Sequence, residues 1–167
     1  MLIFQKKKTS PIHINLIISN TKKAKGLKYA GLNKIQKKII NFKKKNSAEG
    51  NILNMLNKKK INFICLAGFM KVLSKKFISK FPGKIINIHP SLLPKYKGLN
   101  THKRVLKSKE KYSGCTVHLV TPQLDSGKTI LQKKTLIDKN ETEKSLKRKI
   151  LRQEHKLYPQ SIISVFR

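Results

Sequence analysis

Apolar and polar positions along this chain follow two spacings. Short apolar runs bounded by polar residues recur at 14–19, 38–42, 61–69, 84–89, 114–120 and 129–137, and each predicts a strand. Between them, apolar residues return every three or four positions. These stretches predict helices over 22–30, 48–60, 71–81 and 102–111. Gly31 is expected to end the first helix, and Pro82 and Gly83 to stop the third. The run INFICLAGF (61–69) is almost continuously apolar, as a central parallel strand is when helices cover both of its faces. The last segment reads as the clearest helix. Asn140 is placed to cap it, Glu143 stands three residues on, and Leu146, Ile150 and Leu157 form a buried stripe.

Strands alternating with helices predict an α/β fold: an open, mostly parallel sheet flanked by helices. A chain of 167 residues holds one core of ordinary size, so a single domain over 1–167 is expected. In such sheets ligands bind beyond the carboxyl ends of strands, which is where polar residues carry most information. In KIINIH (84–89) the two-residue period puts Ile85, Asn87 and His89 on one face and Ile86 and Ile88 on the other. Pro90 and Pro94 then restrict a loop holding Ser91, Leu92 and Leu93. A lone histidine at a strand end is more often structural than catalytic. The amide two residues away and the restricted loop shift that balance toward chemistry.

Asp125 draws notice because acid is scarce: the chain has 7 Asp plus Glu against 39 Lys plus Arg, a net charge of +32. TPQLDSGK places it in a turn just after the run that contains His118. It reads either as an Asx turn or as a carboxylate that raises the pKa of a nearby histidine and orients a water. Glu154 lies in the last, basic helix beside His155; pairing with lysines is the plain alternative to contact with a substrate amine. LAGFMKVL (66–73) is an apolar wall, suited to a core or to a pocket.

The charge also predicts nonspecific, salt-sensitive attraction to polyanions. The lysines are scattered from Lys6 to Lys156 and not interleaved with stacking aromatics, so no specific nucleic-acid partner is expected. No apolar run approaches the ~18 residues of a membrane span, and the opening MLIFQKKKTS lacks an extended apolar region. The expectation is a cytoplasmic protein without a membrane partner. Cys65 and Cys115 lack the close pairing of a metal knuckle, so no metal is expected. Glycine-rich phosphate loops, H-E-x-x-H and G-x-S-x-G are all missing. Ser19, Asn20 and Thr21 follow the first strand without a glycine.

Four blocks, LAGFMKVL, INIHPSLLPKYKGLNTHK, GCTVHLVTPQLDSGKTILQ and QEHKLYP, occur in this order over 66–159. Together they resemble phosphoribosylglycinamide formyltransferases, the folate-dependent transformylases of purine synthesis. The resemblance implies a Rossmann-like formyltransferase fold, with 10-formyltetrahydrofolate as cosubstrate, small-molecule substrates and no metal. It implies Asn87, His89 and Asp125 as the catalytic set, with His118 as a neighbouring substrate- or water-binding position. Phe69, Met70, Val72 and Leu73, with Thr121, Leu124 and Asp125 from the 121–125 loop, would form the folate side of the pocket. Glu154 resembles the glutamate that contacts the glycinamide substrate. Relatives in this resemblance begin with a further strand and a Gly-Ser-Asn phosphate loop, so 14–20 matches their second strand, and they continue past Arg167. The fold is thus expected to be incomplete at both ends. A related formyltransferase, a formylfolate hydrolase, and an inactive remnant with residual folate or polyanion binding are the other readings.

Overall fold

The structure, a computed structural model, describes residues 12–166. The readings of the opening ten residues and of Arg167 lie outside them. The chain divides into two compact units between Asn62 and Phe63.

The first unit runs β1 (Leu16–Ser19), α1 (Gly26–Leu32), β2 (Gln36–Ile39) and α2 (Lys45–Lys58). β1 and β2 pair in parallel, with Leu16 opposite Gln36 and Ser19 opposite Ile39. α1 starts later than its apolar pattern suggested and passes through Gly31, ending at Leu32 with Asn33 as its C-cap. Lys34, with φ of 54°, turns the chain there. β2 also lies earlier than the apolar run at 38–42. All four of its residues are exposed, so hydrophobic patterning had no signal to give for its register. α2 buries Ala48, Glu49, Ile52 and Leu56; of the apolar residues that its helical spacing brings together, Ile52 and Leu56 are buried and Leu53 is half-buried.

The second unit contains β3 (Phe63–Leu66), α3 (Lys75–Lys80), β4 (Lys84–His89), α4 (Thr101–Lys107), β5 (Tyr112–Leu119), β6 (Thr129–Leu136) and α5 (Glu143–Val165). Its sheet has the order β3-β4-β5-β6. β3 and β4 are parallel, joined through α3. β5 and β6 differ from the mostly parallel expectation: β4–β5 and β5–β6 are antiparallel. The connection 120–128 is too short for a parallel crossover, which takes about a dozen residues or more, and it returns β6 directly beside β5. The α/β class stands, with an antiparallel half added to the parallel one.

Helix ends follow side-chain caps more than apolar spacing. α3 begins only after Ser74, whose hydroxyl accepts from the Phe77 amide at 3.0 Å, and Gly68 (φ 64°) belongs to the loop before it. α5 is capped by Thr142 and not by Asn140. The Thr142 hydroxyl accepts from the Ser145 amide at 3.1 Å, and the Ser145 hydroxyl accepts from the Thr142 amide at 2.9 Å. A serine thus fills the role expected of Glu143. The predicted stripe of Leu146, Ile150 and Leu157 is buried, joined by Tyr158 and Ile162.

α5 packs on β5 and β6, where Ile86, Val105, Cys115, Val117, Leu146 and Ile150 form the driest part of the core. Each such aliphatic side chain contributes about 1.5–3 kcal/mol relative to exposure. The Tyr158 hydroxyl ties the helix to the sheet, reaching the carbonyls of Leu66 at 2.7 Å and Ile86 at 3.2 Å. Those bonds steady β3 and β4, whose ends carry the polar residues of interest. Among the described residues no helix is long and apolar enough to cross a membrane.

Candidate active site

Three chain segments meet at the carboxyl end of β4. The strand supplies Asn87 and His89; the antiparallel ladder sets Asn87 opposite His118 and His89 opposite Thr116. The third segment is the 120–128 connection. It folds back so that Asp125, with φ of 46°, faces both histidines. Gly127 makes this path feasible, since a side chain there would run into the Leu119 carbonyl.

The resulting geometry is a carboxylate between two imidazoles. His89 Nδ1 lies 3.3 Å from Asp125 Oδ2, and His118 Nε2 lies 3.6 Å from Asp125 Oδ1. The Gly98 amide donates to Asp125 Oδ2 at 2.8 Å. On its other side, His89 Nε2 meets the Tyr96 carbonyl at 2.9 Å. His118 Nδ1 lies 2.8 Å from its neighbouring Leu119 carbonyl, and its Nε2 stands between Asp125 Oδ1 and the Asn87 amide nitrogen, 3.4 Å from the latter. Asn87, His118 and Asp125 are thereby mutually oriented. The two histidines and Asp125 are almost wholly buried, with side-chain exposures of 6%, 3% and 8%.

Burial and pairing pull in opposite directions here. Burial draws the His89 imidazole below its ordinary value, against the Tyr96 carbonyl and Asp125, both of which favour the cation. For Asp125, burial favours the neutral acid, but the His118 ring, the Gly98 amide and the nearby imidazoles outweigh it. Its pKa falls below the usual carboxylate range. The resting site therefore holds an ionised Asp125 beside a His89 whose cation is disfavoured by burial. Extra negative charge near His89 would tip that ring toward protonation.

Next to these polar groups opens a cleft walled by Phe69, Val72 and Leu73 on one side and by Thr121 and Leu124 on the other. Asn87, His118 and Asp125 line it as well. Of the predicted apolar wall, Met70 departs: it is 72% exposed and does not line the cleft. Val72 and Leu124 line it while remaining more than half exposed.

Glu154 stands on α5, beside Cys115 of β5. Among the described residues no hydrogen bond or ion pair joins it to the Asn87, His89 and Asp125 set, and no lysine pairs with it. Burial pushes its carboxyl up to about 7. Both cysteine thiols are likewise pushed up to about 12 by burial, which leaves them poor nucleophiles.

Sequence reasoning missed Tyr96, Gly98 and Thr116. Tyr96 and Gly98 act through main-chain groups, and both have left-handed backbone, with φ of 58° and 78°. Thr116 is fully buried opposite His89; its hydroxyl donates to the Ser91 carbonyl at 2.7 Å and accepts from the Leu93 amide at 3.1 Å. The Gln132 amide nitrogen completes this clamp, 2.8 Å from the Thr116 hydroxyl and 3.0 Å from the Leu93 carbonyl. The one signal that could have found any of these is the two-residue period from His118 back to Thr116.

An α/β unit that gathers a half-buried Asn with a buried His and a buried carboxylate beside an apolar cleft is what comparison with known proteins places in a family. Residues 2–162 match the formyl transferase family, and the chain belongs to it. More particularly, it is 38% identical over 152 residues to the phosphoribosylglycinamide formyltransferase of Haemophilus influenzae, covering 89% of this chain and 72% of that protein. It is also 38% identical over 160 residues to the trifunctional purine biosynthetic protein adenosine-3 of Gallus gallus. That match covers 94% of this chain and 16% of the relative, so the chain spans about a sixth of the length of that larger protein. The crystal structure of phosphoribosylglycinamide formyltransferase from Brucella melitensis superposes with a TM-score of 0.90 at 37% identity, over 99% of this chain and 86% of that one. The enzyme from Coxiella burnetii gives 0.85 at 40% identity, over 93% and 74%.

Proposed function

We propose that this protein transfers the formyl group of 10-formyltetrahydrofolate to the amine of glycinamide ribonucleotide, a step of purine biosynthesis. The observation that carries the reading is the convergence of Asn87, His89 and Asp125, with the His89 ring 3.3 Å from the carboxylate. Family membership and relatives of this activity support it. The reading takes residues 1–167 as one formyltransferase-like domain acting in the cytoplasm on small molecules, with no metal and no specific nucleic-acid or membrane partner. Its lysine-rich surface would bind polyanions nonspecifically.

Transfer forms a bond between the amine nitrogen and the formyl carbon, then breaks the bond from that carbon to the folate nitrogen. The amine gives up a proton and the folate nitrogen gains one. In between, negative charge builds on the formyl oxygen. The Asn87 amide stabilises that charge as a donor fixed in advance, and the His89 imidazolium, its two ring nitrogens held by Asp125 and the Tyr96 carbonyl, adds its positive charge; preorganisation of this kind is worth several kcal/mol. His89 accepts its proton as the charge develops, because the oxyanion then adds to the pull of Asp125 and the Tyr96 carbonyl against burial. Asp125 holds the imidazolium and, with His118, orients a water that carries the proton toward the leaving nitrogen. Phe69, Val72, Leu73, Thr121 and Leu124 present the apolar cleft to the pterin, with Met70 at its exposed margin. Glu154 contacts the amine of the ribonucleotide.

Purified protein supplied with both substrates should produce formylglycinamide ribonucleotide. Absence of transfer together with absence of binding of either substrate would overturn the proposal. Formate release without an acceptor would replace it with a hydrolase.

A further inference from the structure

His89 is gripped at both ring nitrogens, and the second grip comes from a residue in an uncommon backbone state. Tyr96, whose carbonyl sits 2.9 Å from His89 Nε2, has φ of 58°, a conformation disfavoured for a residue with a Cβ. Its side chain is engaged well away from the cleft. The phenol donates to Glu110 Oε1 at 2.9 Å, and the same oxygen accepts from Lys95 at 2.9 Å. The Arg104 guanidinium lies 5.5 Å from the Tyr96 ring centroid and donates to the Lys97 carbonyl. The Ser91 hydroxyl holds the inside of the same turn, donating to the Lys95 carbonyl at 2.7 Å.

The ion pair cannot account for this arrangement by itself, because the Lys95 side chain is 66% exposed and such pairs are weak. The Tyr96 hydroxyl bond is partly buried and links the loop to the residues just before β5. Resting on the formyl-transfer reading, we propose that Tyr96 and Glu110 are positioning residues, whose hydroxyl–carboxylate bond fixes the Tyr96 carbonyl against His89 and so aims the imidazole. Neither residue touches the reacting atoms. Both act through that one main-chain oxygen.

A consequence follows for protonation. The charged and titratable groups around His89 are Asp125 from the 120–128 connection, His118 from β5, and His102 and Arg104 from α4. Among these only Asp125 favours the imidazolium. Loosening the Tyr96 carbonyl removes the other contact that does, so the ring should lose its proton at lower pH.

The test uses Tyr96→Phe and Glu110→Gln, singly and together. Each single variant should lower kcat about tenfold while leaving KM for both substrates within about twofold, the mark of lost aim at unchanged binding. Each should also move the alkaline limb of the kcat profile, and the ring-nitrogen NMR titration of His89 in substrate-free protein, to lower pH. The double variant should be no worse than the poorer single one, since one bond is broken twice. An unchanged His89 titration in the folded variants, or losses that multiply in the double variant, overturns the proposal, as does a fall in thermal stability with kcat intact. Glu110 is partly exposed, so Glu110→Gln carries the test even if Tyr96→Phe does not fold. The titration needs no substrate: if the unaltered protein transfers no formyl group, the proposed function fails while the positioning role is still decided.

Discussion

Asn87 and His118 face each other across the β4–β5 ladder, the amide nitrogen 3.4 Å from the ring nitrogen. In the proposed reaction, that pairing makes His118 the support for an amide that serves the formyl oxygen. Asn87→Ala is expected to reduce kcat by about 10²–10³-fold, the range for losing one preorganised oxyanion donor, with the fold intact by circular dichroism. His89→Ala should fold and lose most of the transfer rate. His118→Ala should cost less than either, and a loss exceeding that of His89→Ala would contradict the order of roles.

Acid should weaken this protein in two stages. The folded pKa of His89 lies below its ordinary 6.5, and that of Asp125 below its ordinary 3.8. In both cases the folded state binds fewer protons than the unfolded one. The associated stability is therefore present above the unfolded pKa and is lost as pH falls through the folded value, first for His89 and then for Asp125. His102 is shifted the same way by burial and adds to the first stage. Melting temperatures measured from pH 8 downward should fall below pH 6.5, and His89→Gln should flatten that first drop. A profile for His89→Gln parallel to the unaltered protein's would show that His89 does not carry it.

Glu154 behaves with the opposite sign. Its folded value of about 7 lies above the ordinary 4.5, so its contribution is full below 4.5 and disappears as pH rises through 7. Glu154→Gln should therefore melt several degrees higher than the unaltered protein at pH 8, with the gap closing toward pH 4.5. The same variant should raise KM for the ribonucleotide and leave KM for the folate unchanged. Stability gained together with ribonucleotide affinity lost is the combined signature; an unchanged ribonucleotide KM would remove Glu154 from the site.

Gly127 tests whether the backbone path delivers Asp125. An added methyl would meet the Leu119 carbonyl and the Thr121 side chain, forcing the 120–128 connection to move. Gly127→Ala is expected to lower kcat about 10²-fold, as displacements near 1 Å do at aligned sites. Activity close to normal would mean that Asp125 reaches the histidines by a path tolerant of that movement.

Much of the site could be read from residue type and spacing. The period-2 pattern of KIINIH set Asn87 and His89 on one face, and the scarcity of acid singled out Asp125. The helical stripe of α5 was legible for the same reason, since Leu146, Ile150 and Leu157 are buried at that spacing. Features that depend on the chain's path were not. Tyr96 and Gly98 contribute a carbonyl and an amide that every residue type possesses, so only their backbone angles mark them. β2 is exposed along its whole length, and its limits are set by pairing with β1. The cap of α5 shifted from Asn140 to Thr142 because Ser145 can answer a threonine hydroxyl as a glutamate would.

Besides Gly98, three residues that carry a side chain, Tyr96, Asn100 and Asp125, have left-handed backbone in the loops that follow β4 and β5. Tyr96 is held by Glu110 and Asp125 by the Gly98 amide, while Asn100 is the N-cap residue of α4. The shape of these loops is thus written into contacts the protein makes with itself. Mutational tolerance should follow from that: residues remote from the cleft, Glu110 foremost, should be as sensitive to replacement as some that border it.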